Sequence, residues 1–219
     1  MKNFLYKEIR LCLYPYNYLF LDFALMQLVP DYPRYCGFYF ICLSVFRIFA
    51  TSELNKDIQY SMILPITKRD IVKSRCILIC AYELISVILS IPFAILFSKI
   101  MPSGNKAGID GDVAFFGLNF ILLTIFHFTF FNLYYKKAEK PGFPFLMASL
   151  LFWIFYFIFE FPFWIKDIAG IEYFQILDKV DSESLIKQLP ILFCGILIYI
   201  LGWILTYKTS SKKFEKVDL

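Results

Sequence analysis

The chain has 219 residues, of which 59% are apolar and 18% are charged, and its mean hydropathy is +0.64. Soluble proteins are about 45–50% apolar and about 25% charged, so a chain of this length cannot hide its apolar excess in its own core. The net charge of +4 is small, and the aromatic residues lie in apolar runs rather than in basic patches. The composition therefore excludes an ordinary soluble domain and a nucleic-acid-binding module, and it predicts that lipid surrounds most of the chain.

Six apolar segments are predicted to cross the membrane. An α-helix needs about 20 apolar residues to cross about 30 Å of hydrocarbon. Residues 76–98, 113–135, 143–165 and 188–207 meet this length, and the shorter segments 12–29 and 35–51 are predicted to cross as well. The predicted fold is an all-α polytopic membrane protein in which residues 1–219 form one transmembrane domain. Gly195 and Gly202, on the sixth segment, are expected to permit close helix contact, either within one protomer or between protomers.

The loops between these segments carry unequal numbers of basic residues. If both termini are cytoplasmic, the inner segments hold 15 of the 22 Lys and Arg residues and the outer loops hold 6. Because basic loops tend to remain in the cytoplasm, this bias predicts cytoplasmic termini, including a tail at residues 208–219. The outer loop at residues 102–112 is rich in Gly, Ser and Asp, and it is predicted to be flexible and solvated.

The first 16 residues have the pattern of an amphipathic helix. Leu5, Ile9, Cys12 and Tyr16 fall on one helical stripe, and Asn3, Lys7 and Arg10 lie opposite. This pattern predicts an interfacial helix on the inner leaflet that leads into the first span. The alternative is an unstructured N-terminus.

The chain lacks the short motifs of enzymes that hydrolyse nucleotides, peptides or esters. None of its nine glycines is followed by lysine, so a Walker A phosphate loop is absent. The single histidine, His127, excludes a multi-histidine metal site, and we expect it to be hydrogen-bonded within the helix bundle rather than to act as a general base. The six cysteines lie in or beside apolar runs and are interpreted as buried small side chains. The chain is therefore predicted to hold no metal and no cofactor and to have no catalytic residues.

Two charges inside the predicted spans are expected to form an ion pair. Arg47 lies late in a span that runs inward and Glu83 lies early in one that runs outward, so both are near the inner leaflet. A charge at this depth needs a partner, because its insertion into lipid is costly. The pair is interpreted as a structural tether, with a gate as the alternative.

The inner loop at residues 54–75 carries the most information about function. Asn55 is predicted to cap a short helix whose first turn contains Asp57, and Pro65 stops that helix. Thr67 and Asp70 form a capping-box-like pair that starts a second helix, which runs into the third span. A short helix, a proline elbow and a rigid rod can transmit a push from a cytoplasmic partner, and an ordinary interfacial loop is the alternative.

These residues resemble a sequence pattern of the permease subunits of ABC-2-type transporters. In that family a short coupling helix is followed by a Leu-Pro-Ile-Thr-like stretch, which Leu64, Pro65, Ile66, Thr67, Arg69, Ile71, Val72 and Ser74 match, with Arg75 where lysine is common. The resemblance is to small six-span members, such as bacteriocin or lantibiotic self-protection permeases and exporters of phenol-soluble modulins. It implies a bacterial plasma-membrane protein whose coupling helix docks on a separate ATP-binding subunit.

The resemblance also implies partners and roles. ATP and Mg²⁺ would bind to the separate subunit, and a second permease, identical or paralogous, would complete the pore for amphipathic peptides. The residues assigned to ATPase coupling are Asp57, Pro65, Thr67, Lys68, Arg69 and Asp70, with the charged ones contacting the partner. The residues assigned to an apolar substrate path are Phe46, Phe49, Phe152, Tyr156 and Phe159, for which lipid-facing bulk is the alternative. A membrane-embedded enzyme and a non-catalytic assembly or sensor protein remain alternatives for the whole chain.

Overall fold

A computed structural model describes residues 6–10, 13–63, 66–101, 104–105, 107–169 and 181–217. All regular structure in these ranges is helical, as the sequence predicts. Residues 6–10 are helical and precede the longer elements. The elements are α1 (Pro15–Leu19), a 3₁₀ helix (Phe20–Leu28), α2 (Tyr35–Leu54), α3 (Asp57–Ile63), α4 (Lys68–Ile100), α5 (Val113–Tyr134), α6 (Gly142–Ala169) and α7 (Ser182–Glu215).

Five of the described helices, α2, α4, α5, α6 and α7, are long and apolar enough to cross a membrane. The all-α character predicted from composition is therefore confirmed, and these five helices have the length and apolar composition of a multi-pass membrane protein. The first predicted span is not a single long helix, because residues 15–28 divide into the five-residue α1 and the nine-residue 3₁₀ helix. A count of six spanning helices is accordingly not established by helix length.

Hydrogen bonds and ion pairs define two ends of the bundle. At the basal end, Glu8 contacts Arg75 at the start of α4, and Arg69 contacts Glu215 at the end of α7. At the apical end, Gln27 and Arg34 bond to each other. Further hydrogen bonds at this end involve Asn105, Asp110, Glu160 and Gln188. Successive long helices run in opposite directions between these ends.

α5 and α7 pack so closely that their backbones touch. A Cβ atom on Gly195 would overlap the carbonyl group of Gly117, and one on Gly202 would overlap the side chain of Thr124. The predicted role of Gly195 and Gly202 in close helix contact is therefore confirmed. Within the described chain the contact is between two helices of one molecule.

The apical loop before α5 is packed rather than solvated, so that prediction is wrong for the described part of residues 102–112. Ile109, Asp110 and Asp112 are buried, and the backbone N–H of Ile109 donates to Oε2 of Glu160 at 3.1 Å. Nη2 of Arg34 lies 3.5 Å from Oδ1 of Asp110. Polar loop residues are buried here because charged groups on neighbouring segments satisfy them.

Candidate functional site

The elbow between α3 and α4 begins with the cap that the sequence predicts. Oγ1 of Thr67 accepts from the backbone N–H of Asp70 at 3.2 Å, and Oδ2 of Asp70 accepts from the backbone N–H of Thr67 at 3.3 Å. This reciprocal capping box confirms the predicted start of α4. Pro65, the predicted elbow residue, lies outside the described residues.

The short helix α3 starts at the predicted place but without the predicted cap. α2 extends to Leu54, three residues beyond its predicted end, and Asn55 follows it as the C-cap, with its N–H donating to the carbonyl of Thr51. Asn55 therefore ends one helix and does not cap the next. Lys56, at φ 50°, makes the sharp change of direction into Asp57.

A network of four charged side chains holds α3 against α4 and the N-terminal segment. Nη2 of Arg75 lies 3.0 Å from Oδ2 of Asp57, and Nε of Arg75 lies 2.7 Å from Oε2 of Glu8. Nζ of Lys7 lies 2.6 Å from the other oxygen of Asp57, Oδ1, and also bonds to the hydroxyl of Ser61. Two cations and two anions thus neutralise each other at the basal end.

Three of the four charged residues in this network are almost completely buried. Asp57 is 3% exposed, Glu8 is 1% exposed and Arg75 is 2% exposed. The guanidinium of Arg75 also lies over the ring of Phe49, with Cζ 5.0 Å from the ring centroid. Removing one member of such a set leaves an uncompensated charge away from water, so the four residues act as a unit.

The predicted partner contact of Asp57 is therefore not supported by its position. Its carboxylate faces inward, to Arg75, Lys7 and the hydroxyl of Ser52. The sequence does not show which face of α3 is covered, and the burial of Asp57 therefore appears only in the structure. In the structure these contacts within the chain fix the orientation of α3.

Lys68 and Arg69 lie at the surface, where they contact the end of α7. Nζ of Lys68 donates to the carbonyl of Val217 at 2.6 Å, and Nη2 of Arg69 donates to Oε2 of Glu215 at 3.2 Å. The side chain of Arg69 is 60% exposed. These two basic residues therefore join α4 to α7 while remaining accessible.

The outer face of this elbow is apolar in several places. Leu54 at the end of α2 and Tyr60 and Ile63 on α3 are exposed, whereas Ile58 and Ser61 on the other side of α3 are buried. Beside α3 lies a groove of about 270 Å³, lined by Ser52, Glu53, Lys56, Ile58, Gln59, Tyr134, Ala138, Glu139 and Lys140. An exposed amphipathic helix beside a groove is a surface that fits another protein.

The predicted ion pair between Arg47 and Glu83 is absent from the described part of the chain. Arg47 is exposed, and its Cζ lies 5.2 Å from the ring centroid of Tyr16. Glu83 is buried and faces His127 and Tyr199. The two residues lie at similar depths along their predicted spans, but Arg47 projects from a different face of the bundle.

Glu83 faces His127, which the sequence predicts to lie within the helix bundle but does not pair with a carboxylate. Oε2 of Glu83 lies 3.3 Å from Nδ1 of His127 and accepts a hydrogen bond from the hydroxyl of Tyr199 at 2.8 Å. The sequence predicts that His127 is hydrogen-bonded within the helix bundle, whereas neither of its ring nitrogens has a hydrogen-bond partner among the described residues. A signal was present, because Glu83 and His127 lie at matching distances from the inner ends of antiparallel predicted spans.

The residues assigned to a substrate path lie largely inside the bundle. Phe49, Phe152 and Tyr156 are buried, and Phe49 packs edge-on against the ring of Phe131. Phe46 and Phe159 are half-buried, and Phe46 packs against Phe145. The buried three therefore stabilise helix packing in this conformation and do not face a route along the chain surface.

Comparisons with protein-family models, with curated proteins and with solved structures gave no match.

Proposed function

We propose that this chain is the transmembrane permease subunit of an ABC-type exporter and that it moves amphipathic peptides or similar apolar compounds out of a bacterial cell. The observation that carries the proposal is the elbow at the basal end. There α3 is clamped to α4 by Asp57 and Arg75, while Tyr60 and Ile63 on the opposite face of α3 and Leu54 at the end of α2 are exposed.

This arrangement suits the transfer of force from a partner. Displacement of α3 by a bound protein acts on α4 through the ion pairs, since breaking them would leave buried charges. α4 continues for 33 residues, about 50 Å, which is longer than the hydrocarbon core. Movement of the basal end would therefore reach the apical end along one continuous helix, which contains Pro92 in its second half.

The proposal includes six crossings with cytoplasmic termini. α1 and the 3₁₀ helix together extend for about 25 Å. Asn17 accepts from Ser44 at 3.3 Å, and Gln27 bonds to Arg34, so this segment runs antiparallel to α2 over much of its length. Glu8 at the basal end and Gln27 at the apical end support a first crossing made by the chain between them.

The energy source would be a separate subunit, which binds ATP and Mg²⁺ and docks on α3 and the adjacent groove. The permease chain itself would hold no cofactor and carry no catalytic residue. A second permease, identical or paralogous, would complete the pathway in the surrounding lipid. The polar cluster around Glu83 does not favour a membrane enzyme, because Glu83 and His127 are 1% and 0% exposed and a substrate has no access to them.

Purification from the native host tests the proposal directly. The tagged chain is isolated in mild detergent, and co-purified proteins are identified and assayed for ATP hydrolysis. We expect an ATP-binding subunit with the parent chain and strongly reduced recovery with the double variant Lys68→Glu, Arg69→Glu. Lys99→Glu is the control, since it reverses the charge of one exposed basic residue at the other end of α4.

A compensating variant separates partner contact from contacts within the chain. Arg69→Glu combined with Glu215→Arg restores an ion pair between α4 and α7 with reversed signs. Recovery of the partner by this swap would assign Arg69 to internal packing, and continued loss would assign it to the docking surface. The proposal is contradicted if the parent chain co-purifies with no ATP-binding protein.

A further inference from the structure

Four lysines lie close together at the basal end, beside the last turn of α5. Lys136, Lys137 and Lys140 belong to the turn that joins α5 to α6, and all three are exposed. Nζ of Lys213 on α7 donates to the backbone carbonyl of Asn132 at 3.2 Å and to its Oδ1 at 3.0 Å. Lys136 and Lys213 are near enough to repel each other. Positive charge is therefore concentrated on one small area of the surface.

The turn that carries three of these lysines has a defined shape. The backbone N–H of Ala138 donates to the carbonyl of Tyr134 at 2.7 Å, and Ala138 has a φ of 54°. A residue in the left-handed region commonly ends a helix in this way. The side chain of Ala138 is buried. Because the turn is hydrogen-bonded and packed, its lysines project from fixed backbone positions.

The positive charge of this area is not balanced within the part of the chain that the structure describes. None of the four lysines forms an ion pair with a described residue. Glu139 lies in the same turn, so four lysines and one carboxylate leave an excess of three positive charges. α6 begins at Gly142 with no acidic residue in its first turn, and a helix N-terminus adds partial positive charge. The area is therefore suited to an anion from outside the chain.

A cleft of about 330 Å³ lies between the basic turn and the start of α6. Basic and apolar side chains both line it, namely Lys136, Lys137, Lys140, Leu133, Phe143 and Pro144. Phe143 is 67% exposed, and Leu146, one turn further along α6, is 59% exposed. An exposed apolar strip on a helix that can cross the membrane thus begins directly at the lysines.

The combination of charge and apolar surface distinguishes two kinds of anion. Free phosphate would be bound by the lysines alone and would gain nothing from Phe143 and Leu146. A phospholipid instead carries its phosphate at the boundary between water and hydrocarbon, where basic side chains attract anionic headgroups. The cleft lies at such a boundary, because the apolar α6 starts beside it. Charge complementarity and position together favour an anionic phospholipid.

We propose that this cleft binds an anionic phospholipid, with Lys136, Lys137 and Lys140 around the headgroup and an acyl chain along Phe143 and Leu146 of α6. The bound headgroup offsets the repulsion among the lysines and so stabilises the turn between α5 and α6. The cleft shares part of its lining with the groove beside α3, so the lipid lies next to the surface proposed for docking. The inference goes beyond the proposed function and does not require an ATP-binding partner.

Native mass spectrometry of the purified chain in a neutral detergent tests the site. Phosphatidylglycerol and phosphatidylcholine with identical acyl chains are titrated separately, and the fraction of protein that carries a lipid gives each dissociation constant. A basic residue near the membrane surface contributes about fivefold to the binding of anionic lipid. We therefore expect the triple variant Lys136→Gln, Lys137→Gln, Lys140→Gln to bind phosphatidylglycerol at least about tenfold more weakly. Binding of phosphatidylcholine should not change.

A matched control separates a site from a general effect of charge. Lys99→Gln, Lys187→Gln, Lys216→Gln removes the same number of charges from exposed lysines outside the cleft, and it should keep the preference for phosphatidylglycerol. Phe143→Ser should weaken the binding of phosphatidylglycerol, because it removes apolar contact with the acyl chain. Excess inorganic phosphate should not displace the lipid.

Four results would overturn the proposal. The parent chain binds the two lipids equally, a comparison that needs no variant and is decisive even if the triple variant folds poorly. The control variant loses the preference as strongly as the cleft variant. Inorganic phosphate displaces phosphatidylglycerol, which would make the cleft a simple anion site. The cleft variant keeps its lipid preference but loses a co-purified protein, which would assign the lysines to a protein contact.

Discussion

Nε of Arg75 lies 2.7 Å from Oε2 of Glu8, so the first described helical residues of the chain are tied to the base of a membrane-crossing helix. The same guanidinium reaches Asp57 through Nη2 at 3.0 Å. One side chain therefore connects the N-terminal segment, α3 and α4. The amphipathic N-terminus and the elbow, which are separate features in the sequence, form one polar assembly.

We expect the loss of Glu8 to destabilise the protein strongly. Glu8→Ala leaves Arg75 with one carboxylate in place of two in a buried site, and breaking a buried pair in this way typically costs about 3–5 kcal/mol. Thermal unfolding in detergent, followed by circular dichroism, measures the change. Arg69→Ala is the comparison, because its partner Glu215 is at the surface and the effect should be small. Equal losses in the two variants would contradict the network.

The two charges that the sequence placed together should respond differently to removal. Glu83→Ala removes the partner of His127 and Tyr199, and a buried polar group left without its partner typically costs about 1–3 kcal/mol. Arg47→Ala removes an exposed side chain that lies over Tyr16, and we expect a change within about 0.5 kcal/mol. Comparison of the unfolding midpoints of the two variants tests this predicted difference in stability. Similar losses, restored by exchanging the two charges, would favour the original pairing.

Close contact between α5 and α7 predicts a severe effect of added bulk at Gly195. A side chain there would overlap the backbone of Gly117, so Gly195→Val must push the two helices apart, at a cost of about 1–3 kcal/mol or more. Gly142→Val is the matched control, since no atom lies within 4 Å of a Cβ built at Gly142. The yield of monodisperse protein and its unfolding temperature report the difference. If Gly195→Val leaves the yield and the unfolding temperature unchanged, this close packing is not required.

The proposed topology predicts which residues share a side of the membrane. Single cysteines are introduced into a cysteine-free background at Lys140 and Lys212 at the basal end, and at Asp31 and Glu183 at the apical end, all of which are exposed. Membrane-impermeant thiol reagents added to intact cells should label the apical pair only. Labelling of the basal pair appears after the membrane is opened. Reactivity of Asp31→Cys and Lys140→Cys from the same side would exclude six crossings with cytoplasmic termini.

Features that depend on short stretches of chain could be read from the sequence. The capping box of Thr67 and Asp70 is an interaction over three residues, and the apolar lengths of the long helices follow from the thickness of hydrocarbon. The first crossing is less evident in the sequence, because residues 15–28 divide into α1 and a 3₁₀ helix. A 3₁₀ helix rises further per residue than an α-helix, so a shorter segment spans the same distance.

Composition and local hydrogen bonding are properties of neighbouring residues, so the sequence predicts that this protein is helical, with helices apolar enough to cross a membrane. The partners of the charged side chains become visible in the tertiary structure. Glu83 faces His127, and Asp57 is buried against Arg75. Arg47 faces Tyr16. Depth in the membrane limits which side chains can meet, but the rotation of each helix about its axis selects the partner. That rotation is set by the packing of all the helices together, including the close approach of Gly117 and Gly195.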